Sequence, residues 1–316
     1  MATNPLDAAG RRPHGSGDAW VTAPDGRKFW GTFGAAGLLV HDHRGVLLQL
    51  RVEWSHHGGT WGLPGGARHE GESAVRGALR EASEEAGVPA DALVLEFTSV
   101  LDLGVWNYTT VGARATRPFE AVIGDAESIE LRWVPIDEVD ALPLHPGFAA
   151  RWPVLKSLVK ESTTVVVDAA NVVGSRPDGW WKDRAGAATS LLESLAVRID
   201  KGIPGEYLGL DVDTYWPSIV AVLEGQAREA HDPPVRSSVR ALADGVRAPE
   251  LVVARAEGEG DDLIADVAAS LRGSGDSVLV VTADAGLRRR VESSSCVTRG
   301  PRWLTDILER PTDAPT

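Results

Sequence analysis

The composition of this chain of 316 residues, with 43% hydrophobic and 24% charged residues, is that of an ordinary globular protein. Its length exceeds one typical domain, so two hydrophobic cores are expected. The formal net charge of −13 excludes nucleic-acid binding through the global field, and a local basic patch would be needed. The single cysteine, Cys296, excludes a disulfide within the chain, which suits a cytoplasmic protein.

The two ends of the chain predict little structure. The residues through about Asp18 lack the apolar segment of a secretory signal, and no later run is long enough to cross a bilayer. We therefore expect no membrane partner. Residues 1–30 are predicted to form a flexible segment, and residues 311–316 a flexible tail.

The first folded region is predicted to contain a sheet. Two apolar runs flank the turn formed by residues 42–45, which predicts a hairpin at the start of this sheet. Further apolar runs predict the remaining strands. The predicted strands are 33–41, 45–52, 93–103, 109–115, 119–123 and 129–134.

An amphipathic helix is predicted over residues 73–86, because its apolar residues recur at helical spacing and Gly87 follows it. Glu81, Glu84 and Glu85 lie at positions i, i+3 and i+4, which places three carboxylates on one patch. Their mutual repulsion favours a bound hard divalent cation, Mg²⁺ or Mn²⁺. The alternative is a solvated glutamate face on a surface helix.

Residues 66–88 read G-x5-E-x7-R-E-A-x-E-E-x-G-V, and this pattern resembles the box of the Nudix hydrolases at every fixed position. The resemblance implies an α/β/α sandwich around a mixed sheet, and hydrolysis of a nucleoside diphosphate linked to another group. It also implies that Arg80 orients Glu81 for catalysis together with Glu84. The implied metal-site residues are Gly66, Glu72, Glu81, Glu84 and Glu85.

Four further residues are candidates for substrate contact: Trp106, Tyr108, Glu130 and, in the second half, Asn171. Trp106 and Tyr108 alternate beside the expected site, where an aromatic ring would stack on a base or simply pack against the sheet. Glu127 and Glu130 precede the last predicted strand, and either is a candidate fourth metal ligand or general base. Both are equally readable as surface charges, and we favour Glu130.

A second domain is predicted after helices at 137–142 and 147–159. The junction of residues 160–163 is too short for a long tether, so the domain of residues 31–160 should touch the domain of residues 164–310. Apolar runs alternate with helical segments in this second half, which predicts a largely parallel sheet. The predicted strands are 164–167, 218–223, 251–254 and 277–281, and the predicted helices are 185–199, 263–271 and a segment around 287–290.

Acidic residues recur where these strands end or where a helix begins. Asp168 and Asp284 follow apolar strands, and Asp261 or Asp262 opens a helix. The carboxyl ends of parallel strands meet at one edge, so these carboxylates would converge and favour a divalent metal. Each is alternatively a helix N-cap.

The segments VVVDAANVV, GEGDDLIADVAA and VVTADAGLRRRV resemble the NYN branch of the PIN-like nucleases. This resemblance implies a Rossmann-like domain with ribonuclease activity. Its acidic site would comprise Asp168, Asp262 and Asp284, with Asn171 beside the first and Asp266 as a weaker fourth member. Ala169 stands where many relatives have glycine.

Basic and aromatic residues near that edge are candidates for contact with single-stranded RNA. Arginines would hold phosphates and tryptophans would stack on bases, or they would serve helix ends and interdomain packing. These residues are Arg288, Arg289, Arg290, Arg299, Arg302, Trp180, Trp181 and Lys182. The sequence thus predicts a Mg²⁺-dependent Nudix hydrolase joined to a ribonuclease, or to a non-catalytic RNA-binding or regulatory module.

Overall fold

The computed structural model describes residues 15–175, 180–233 and 245–310. These residues form a mixed sheet of nine strands, a parallel sheet of five strands and a separate two-stranded hairpin. The first 14 residues of the predicted flexible segment, and the predicted tail at 311–316, lie outside the described residues. The part of the 1–30 segment that is described differs from the prediction, because it contains the hairpin.

The strands in the described part of the chain are β1 (Trp20–Thr22), β2 (Lys28–Trp30), β3 (Ala35–Asp42), β4 (Gly45–Arg51), β5 (Trp61–Gly62), β6 (Gly65–Ala67), β7 (Leu93–Asp102), β8 (Asn107–Ala115), β9 (Ser128–Val134), β10 (Thr163–Asp168), β11 (Ile203–Pro204), β12 (Thr214–Tyr215), β13 (Ser218–Leu223), β14 (Leu251–Arg255), β15 (Ser277–Val281) and β16 (Val297–Arg299). The α-helices there are α1 (Ala74–Ala86), α2 (Pro146–Lys160), α3 (Ala169–Gly174), α4 (Arg184–Lys201), α5 (Gly205–Leu208), α6 (Gly260–Gly273), α7 (Ala285–Ser293) and α8 (Pro301–Glu309). Short 3₁₀ helices occupy Ala90–Ala92, Val139–Ala141, Trp180–Lys182 and Gly225–Glu229.

The mixed sheet is covered on both faces, as an α/β/α sandwich requires. Alternate residues of β3 face opposite cores: Leu38 packs with the apolar side of α1, and Leu39 packs with α2. α1 is capped at both ends, because the Ser73 hydroxyl accepts a hydrogen bond from the backbone N–H of Arg76 and Gly87 adopts φ 63°. Both ends of the helix are therefore defined by its own sequence.

Two predicted elements differ in the structure. Residues 119–123 form no strand; the Val122 side chain is 62% exposed, and backbone N–H groups of Val122 and Gly124 donate to the carbonyls of Ala86 and Glu85 at the end of α1. These carbonyls have no partner within the helix, so the segment satisfies them instead of joining the sheet. The helix predicted at 137–142 is only the 3₁₀ turn Val139–Ala141.

The second half contributes directly to the first sheet. β12 pairs antiparallel with β7 through Thr214 opposite Thr98 and Tyr215 opposite Phe97, and β11 pairs with β12. Trp216 is 1% exposed and lies in the same core as α1. The division of the chain near residues 160–164 stays a proposal, because hydrogen bonds and a shared core cross it.

The second sheet has the order β14-β13-β10-β15-β16, with every pair parallel. α3, α4 and α8 cover one face, and α6 and α7 cover the other. All these strands therefore end at one edge, which carries the acidic residues discussed below. Among the described residues, none of the helices has the length and apolar character needed to cross a membrane.

Candidate functional site

Arg80 organises the carboxylates at the exposed side of α1. Its Nε donates to Glu72 Oε1 at 3.0 Å, and its Nη1 donates to Glu81 Oε1 at 2.8 Å. The same Nη1 lies 3.4 Å from Glu84 Oε2, and Nη2 also donates to the Ala67 carbonyl at 2.9 Å. One guanidinium therefore fixes three of the predicted site glutamates relative to the loop before the helix.

Burial disfavours the charged form of two of the glutamates. Burial raises the pKa of Glu81 to about 7, although Arg80 opposes the shift. Burial also raises the pKa of Glu85 well above its ordinary range, and the Glu81 carboxylate adds to this effect. The Gly65 N–H donates to Glu85 Oε2 at 2.8 Å. Such carboxylates favour a proton or a cation close by.

The turn before α1 approaches these carboxylates closely. A Cβ at Gly66 would lie 2.6 Å from Glu81 Cδ and 2.7 Å from Glu81 Oε1. Only glycine leaves the Glu81 carboxylate room in this position. Gly66 thus makes space for the Glu81 carboxylate.

Other acidic residues reach the cluster from distant parts of the sequence. Asp18 is close enough to raise the pKa of Glu81 by charge repulsion, after burial and the other charges near it. Asp125 and Glu127 act in the same way on the pKa of Glu85. Asp18 and Asp125 were not identified from the sequence, because neither falls within a motif; the Gly124 N–H bond to the Glu85 carbonyl places the second of them beside α1.

Glu130, which the sequence analysis favoured, lies on the other face of the sheet. Its neighbours Leu131 and Trp133 pack on the α1 side, so Glu130 and Arg132 point away from it. Glu130 lies 2.7 Å from Arg132 Nη2, whose guanidinium covers the Trp61 ring. Of the two candidates, Glu127 is the one beside the cluster.

The donor set fits a hard divalent cation. The carboxylates of Glu81, Glu84 and Glu85 project from adjacent turns, and two of them carry raised pKa values that a cation would reverse. Arg80 offsets part of the Glu81 charge, but it also binds Glu72 and a backbone oxygen. Oxygen ligands with one flexible, exposed member are what Mg²⁺ or Mn²⁺ would require.

The predicted aromatic residues have packing roles in the structure. Trp106 stacks on Phe29 at 4.8 Å between ring centroids, and its Nε1 donates to the Trp30 carbonyl at 3.0 Å. These contacts attach the N-terminal hairpin to the end of β8. Tyr108 lies deeper: burial raises its pKa, the Arg51 charge opposes this, and the charges of Glu85 and Glu81 reinforce it. Tyr108 is therefore the aromatic residue closer to the carboxylates.

A second carboxylate cluster lies at the carboxyl edge of the parallel sheet. Asp168 at the end of β10 accepts hydrogen bonds from the Asn171 backbone N–H at 3.0 Å, the Asn171 side-chain amide at 2.8 Å and the Thr282 hydroxyl at 2.8 Å. Burial nevertheless raises the pKa of Asp168. The carbonyl oxygen of the Asn171 side chain accepts from the Ala283 N–H, which connects the ends of β10 and β15.

Asp261, rather than Asp262, faces this cluster. Burial raises the pKa of Asp261, and the charges of Asp168, Asp284 and Glu224 raise it further. Asp262 is instead 2.9 Å from Arg290 Nη2, with a side chain 68% exposed. Glu224 was missed, although it directly follows β13 as Asp284 closely follows β15; the same rule would have found it.

Two of the acidic residues at this edge also cap helices, which was the alternative role predicted for them. Asp168 Oδ1 caps α3, and Asp284 Oδ1 accepts from the Leu287 N–H at 2.7 Å at the start of α7. Both residues thus cap a helix and belong to the cluster. Asp266 is exposed on α6. A cavity of about 390 Å³ opens beside the cluster, lined by Ala170, Asn171, Gly174, Ser175, Ala283 and Pro301.

The basic and aromatic residues expected near this edge are largely engaged. Arg288 Nε donates to the Thr282 carbonyl at 3.1 Å, and Arg299 Nη1 to the Thr298 carbonyl at 3.0 Å. Arg184 covers the Trp180 ring at 5.4 Å, while Trp181 is 57% exposed. Trp181 and Arg302, whose side chain is 92% exposed, are among the members of this group open to a ligand.

The first site thus combines a carboxylate-bearing helix, a glycine turn and a mixed sheet, which is the arrangement of a metal-dependent hydrolase. The model of the NUDIX domain matches residues 31–158. "Putative 8-oxo-dGTP diphosphatase 3" of Mycobacterium tuberculosis is 49% identical over 154 residues, which cover 45% of this chain and 70% of that protein. The chain therefore belongs to the Nudix family, whose members use divalent metal ions.

Two other similarities involve comparable stretches. A "Nucleoside triphosphate pyrophosphatase/Nudix hydrolase fusion protein" of Bifidobacterium longum is 40% identical over 160 residues, covering 48% of this chain and 33% of that protein. The crystal structure of a Nudix hydrolase from M. smegmatis, RenU, is 48% identical, covers 45% of this chain and 95% of that one, and has a TM-score of 0.42. The match to the NUDIX domain ends at residue 158, before the second sheet begins.

Proposed function

We propose that the first site is a Mg²⁺-dependent (or Mn²⁺-dependent) pyrophosphohydrolase that cleaves the pyrophosphate bond of a nucleoside diphosphate derivative in the cytoplasm. The observation that carries the proposal is the patch of Glu81, Glu84 and Glu85 on α1, because burial raises the pKa of Glu81 and of Glu85 and a cation would stabilise their charged forms. Family membership and the complete box support it.

The residues have distinct parts in this reaction. Glu81, Glu84 and Glu85 would hold the cation, which when bound neutralises the pyrophosphate oxygens and lowers the pKa of the attacking water. Arg80 positions Glu81 and Glu72, and Gly66 gives the Glu81 carboxylate its space.

The name of the M. tuberculosis relative, "Putative 8-oxo-dGTP diphosphatase 3", suggests a first substrate to test. We propose an oxidised purine nucleoside triphosphate, such as 8-oxo-dGTP, as the first candidate, because the similarity to that protein extends over 154 residues. Hydrolysis between the α and β phosphates would give the nucleoside monophosphate and pyrophosphate, with one water consumed. Equal rates for 8-oxo-dGTP and dGTP would contradict selectivity for the oxidised base without affecting the reaction class.

The test is hydrolysis of a nucleotide panel with Mg²⁺ or Mn²⁺ by the wild type and by Glu84→Gln. The amide keeps the shape of the side chain but loses the anionic oxygen, so kcat should fall by about 100-fold or more. Glu130→Gln is the matched control, because Glu130 lies on the opposite face of the sheet. Unchanged hydrolysis in Glu84→Gln would remove the basis of the proposal.

A second candidate function is metal-dependent ribonuclease activity in the second half, with single-stranded RNA as substrate. The observation in its favour is the convergence of Asp168, Glu224, Asp261 and Asp284 at one sheet edge beside a cavity. Convergent carboxylates would hold one or two divalent ions against a phosphodiester. The alternative is a non-catalytic RNA-binding or regulatory module.

RNA cleavage and RNA binding separate these two possibilities. Wild type, Asp168→Asn and Asp262→Asn are compared on single-stranded RNA with Mg²⁺ or Mn²⁺. For a nuclease, Asp168→Asn should abolish cleavage, whereas Asp262→Asn should retain it because Asp262 pairs with Arg290 outside the cluster. RNA that is bound but left intact by the wild type would favour the binding module.

A further inference from the structure

Three histidines form a compact group on the first half that shares no residue with either carboxylate cluster. His56 and His57 lie on the loop between β4 and β5, and His145 is the residue before α2. Each offers one ring nitrogen such that all three atoms lie within 4.8 Å of one another. The His56 and His57 rings are 4.1 Å apart between centroids, and the His57 and His145 rings are 4.7 Å apart.

The loop holds these rings in place through its own hydrogen bonds. The Gly58 N–H donates to the Ser55 carbonyl at 2.9 Å, and the Thr60 hydroxyl donates to the His57 carbonyl at 2.6 Å. His57 itself has φ 57°, a left-handed conformation that a side-chain-bearing residue adopts at some cost. The His57 ring thus lies beside the other two rings at the cost of a strained backbone conformation.

The ring nitrogens are chemically available for coordination. Within the described part of the chain, the rings of His56 and His57 have no hydrogen-bond partner, and both side chains are exposed. Burial lowers the pKa of His145 to about 4, with the His57 and Arg51 charges adding to the effect. Burial likewise lowers the pKa of His56. The lowered pKa values of His56 and His145 favour the neutral imidazole, which is the form that binds metals.

We propose that His56, His57 and His145 form a binding site for a transition-metal ion of the zinc type, with water completing a four-coordinate shell. Three imidazole ligands suit Zn²⁺, Co²⁺ or Ni²⁺, whereas Mg²⁺ selects oxygen. The site is thus distinct in ligand chemistry from the glutamate patch on α1. It is an addition to the proposed hydrolase and does not depend on that reaction.

Binding has a local structural cost at His145. Its Nδ1 accepts a hydrogen bond from the Gly147 N–H at 3.2 Å, which caps α2. Coordination through Nδ1 replaces that bond, and coordination through Nε2 places the proton on Nδ1 and also breaks it. The Arg51 side chain is the nearby positive charge, and its Nε donates to the His56 carbonyl at 3.3 Å. Both features limit the affinity without occupying the ligand nitrogens of His56 and His57.

The test is a competition titration of Zn²⁺ between a chromogenic chelator and the tag-free full-length chain. Glu81→Gln/Glu84→Gln serves as the background, so that zinc at the glutamate patch does not contribute. In this background we expect a zinc equivalent whose affinity falls at least about tenfold on His57→Asn or His145→Asn. Co²⁺ should give the strong visible absorption of a four-coordinate ion, and the same variants should lose it.

The variants are chosen so that the fold survives. Asparagine tolerates the left-handed backbone of residue 57, and its side-chain oxygen can cap α2 at residue 145. His43→Asn is the matched control, because this exposed histidine lies on the turn between β3 and β4. Zinc affinity and Co²⁺ absorption that are the same in His57→Asn, His145→Asn and the background would overturn the proposal.

Discussion

Gly66 contributes to the site because it has no Cβ. A Cβ in Gly66→Ala would meet Glu81 Cδ at 2.6 Å and displace this carboxylate from Arg80. A displacement of this kind costs about 100-fold in kcat when the group is part of the catalytic geometry. Steady-state nucleotide hydrolysis measures the effect. Gly273→Ala is the matched control, since a Cβ there has no neighbour within 4 Å; comparable losses in both variants would exclude a specific effect of Gly66.

The buried glutamates link stability to pH. The pKa of Glu81 is about 7 in the fold, compared with 4.5 for an unperturbed glutamate, so the folded state binds more protons between these values. Stability of the metal-free protein should therefore fall as pH rises from about 4.5 to 7, by up to about 3 kcal/mol for this group. Glu85 acts in the same direction, because its pKa is also raised.

Thermal unfolding at pH 5.5 and pH 8, with EDTA or with Mg²⁺, tests this linkage. Mg²⁺ competes with protons for the same oxygens, so it should raise Tm more at pH 8 than at pH 5.5. Glu81→Gln should weaken both the pH dependence and the Mg²⁺ effect. A change in metal-free Tm between pH 5.5 and pH 8 that is the same in Glu81→Gln as in the wild type would contradict the assignment of Glu81 as a raised-pKa carboxyl.

At the scale of elements, the segment between β8 and β9 decides which additional carboxylate reaches the site. Its Gly124 N–H donates to the Glu85 carbonyl, and Glu127 thereby lies near the Glu85 carboxylate. Glu127→Gln should weaken apparent Mg²⁺ binding several-fold, because a nearby negative charge is removed. Glu130→Gln should leave it unchanged. Mg²⁺ dependence of hydrolysis gives the comparison, and a larger effect in Glu130→Gln would reverse the ranking of the two residues.

Local sequence signals predict an element correctly when the same signals determine where it begins and ends. α1 was predicted within a residue of its observed start, because Ser73, the apolar spacing and Gly87 are all local signals. Residues 119–123 were predicted as a strand from their apolar character alone, and their backbone instead satisfies the end of α1. Whether such a segment joins a sheet depends on partners that the segment does not contain.

The same limit applies to the carboxylates. Asp168 and Asp284 were found because strand ends are local features, whereas the choice between Asp261 and Asp262 depends on how α6 is rotated against the sheet. Asp18 approaches Glu81 only because the N-terminal segment folds back onto the loop before α1, where the Ser16 hydroxyl accepts from the Glu70 N–H. No motif spacing encodes that approach.

At the scale of the molecule, the two halves are expected to unfold together. Trp216 comes from the second half, is 1% exposed, and packs in the core beneath α1. Trp216→Ala should destabilise the protein by about 3 to 5 kcal/mol through the cavity it leaves. Nucleotide hydrolysis should therefore be lost at a lower temperature, although Trp216 lies outside the family match, which ends at residue 158.

The exposed Trp181 provides the comparison for this variant. Its side chain is 57% exposed, so Trp181→Ala should change stability by no more than about 0.5 kcal/mol. Denaturant unfolding monitored by circular dichroism, together with residual hydrolase activity, should show one shared transition. Loss of helical signal in Trp216→Ala while nucleotide hydrolysis keeps its wild-type midpoint would show that the halves are independent.

The pairing of β12 with β7 also bears on how the chain behaves when it is cut. β8 occupies one edge of β7, and the other edge is covered by Thr214 and Tyr215 from the second half. Proteolysis that releases the second half would leave that edge as an open template for another copy. The separated first half should therefore aggregate through the open edge of β7. In the intact chain, the second half protects that edge and keeps the first half soluble.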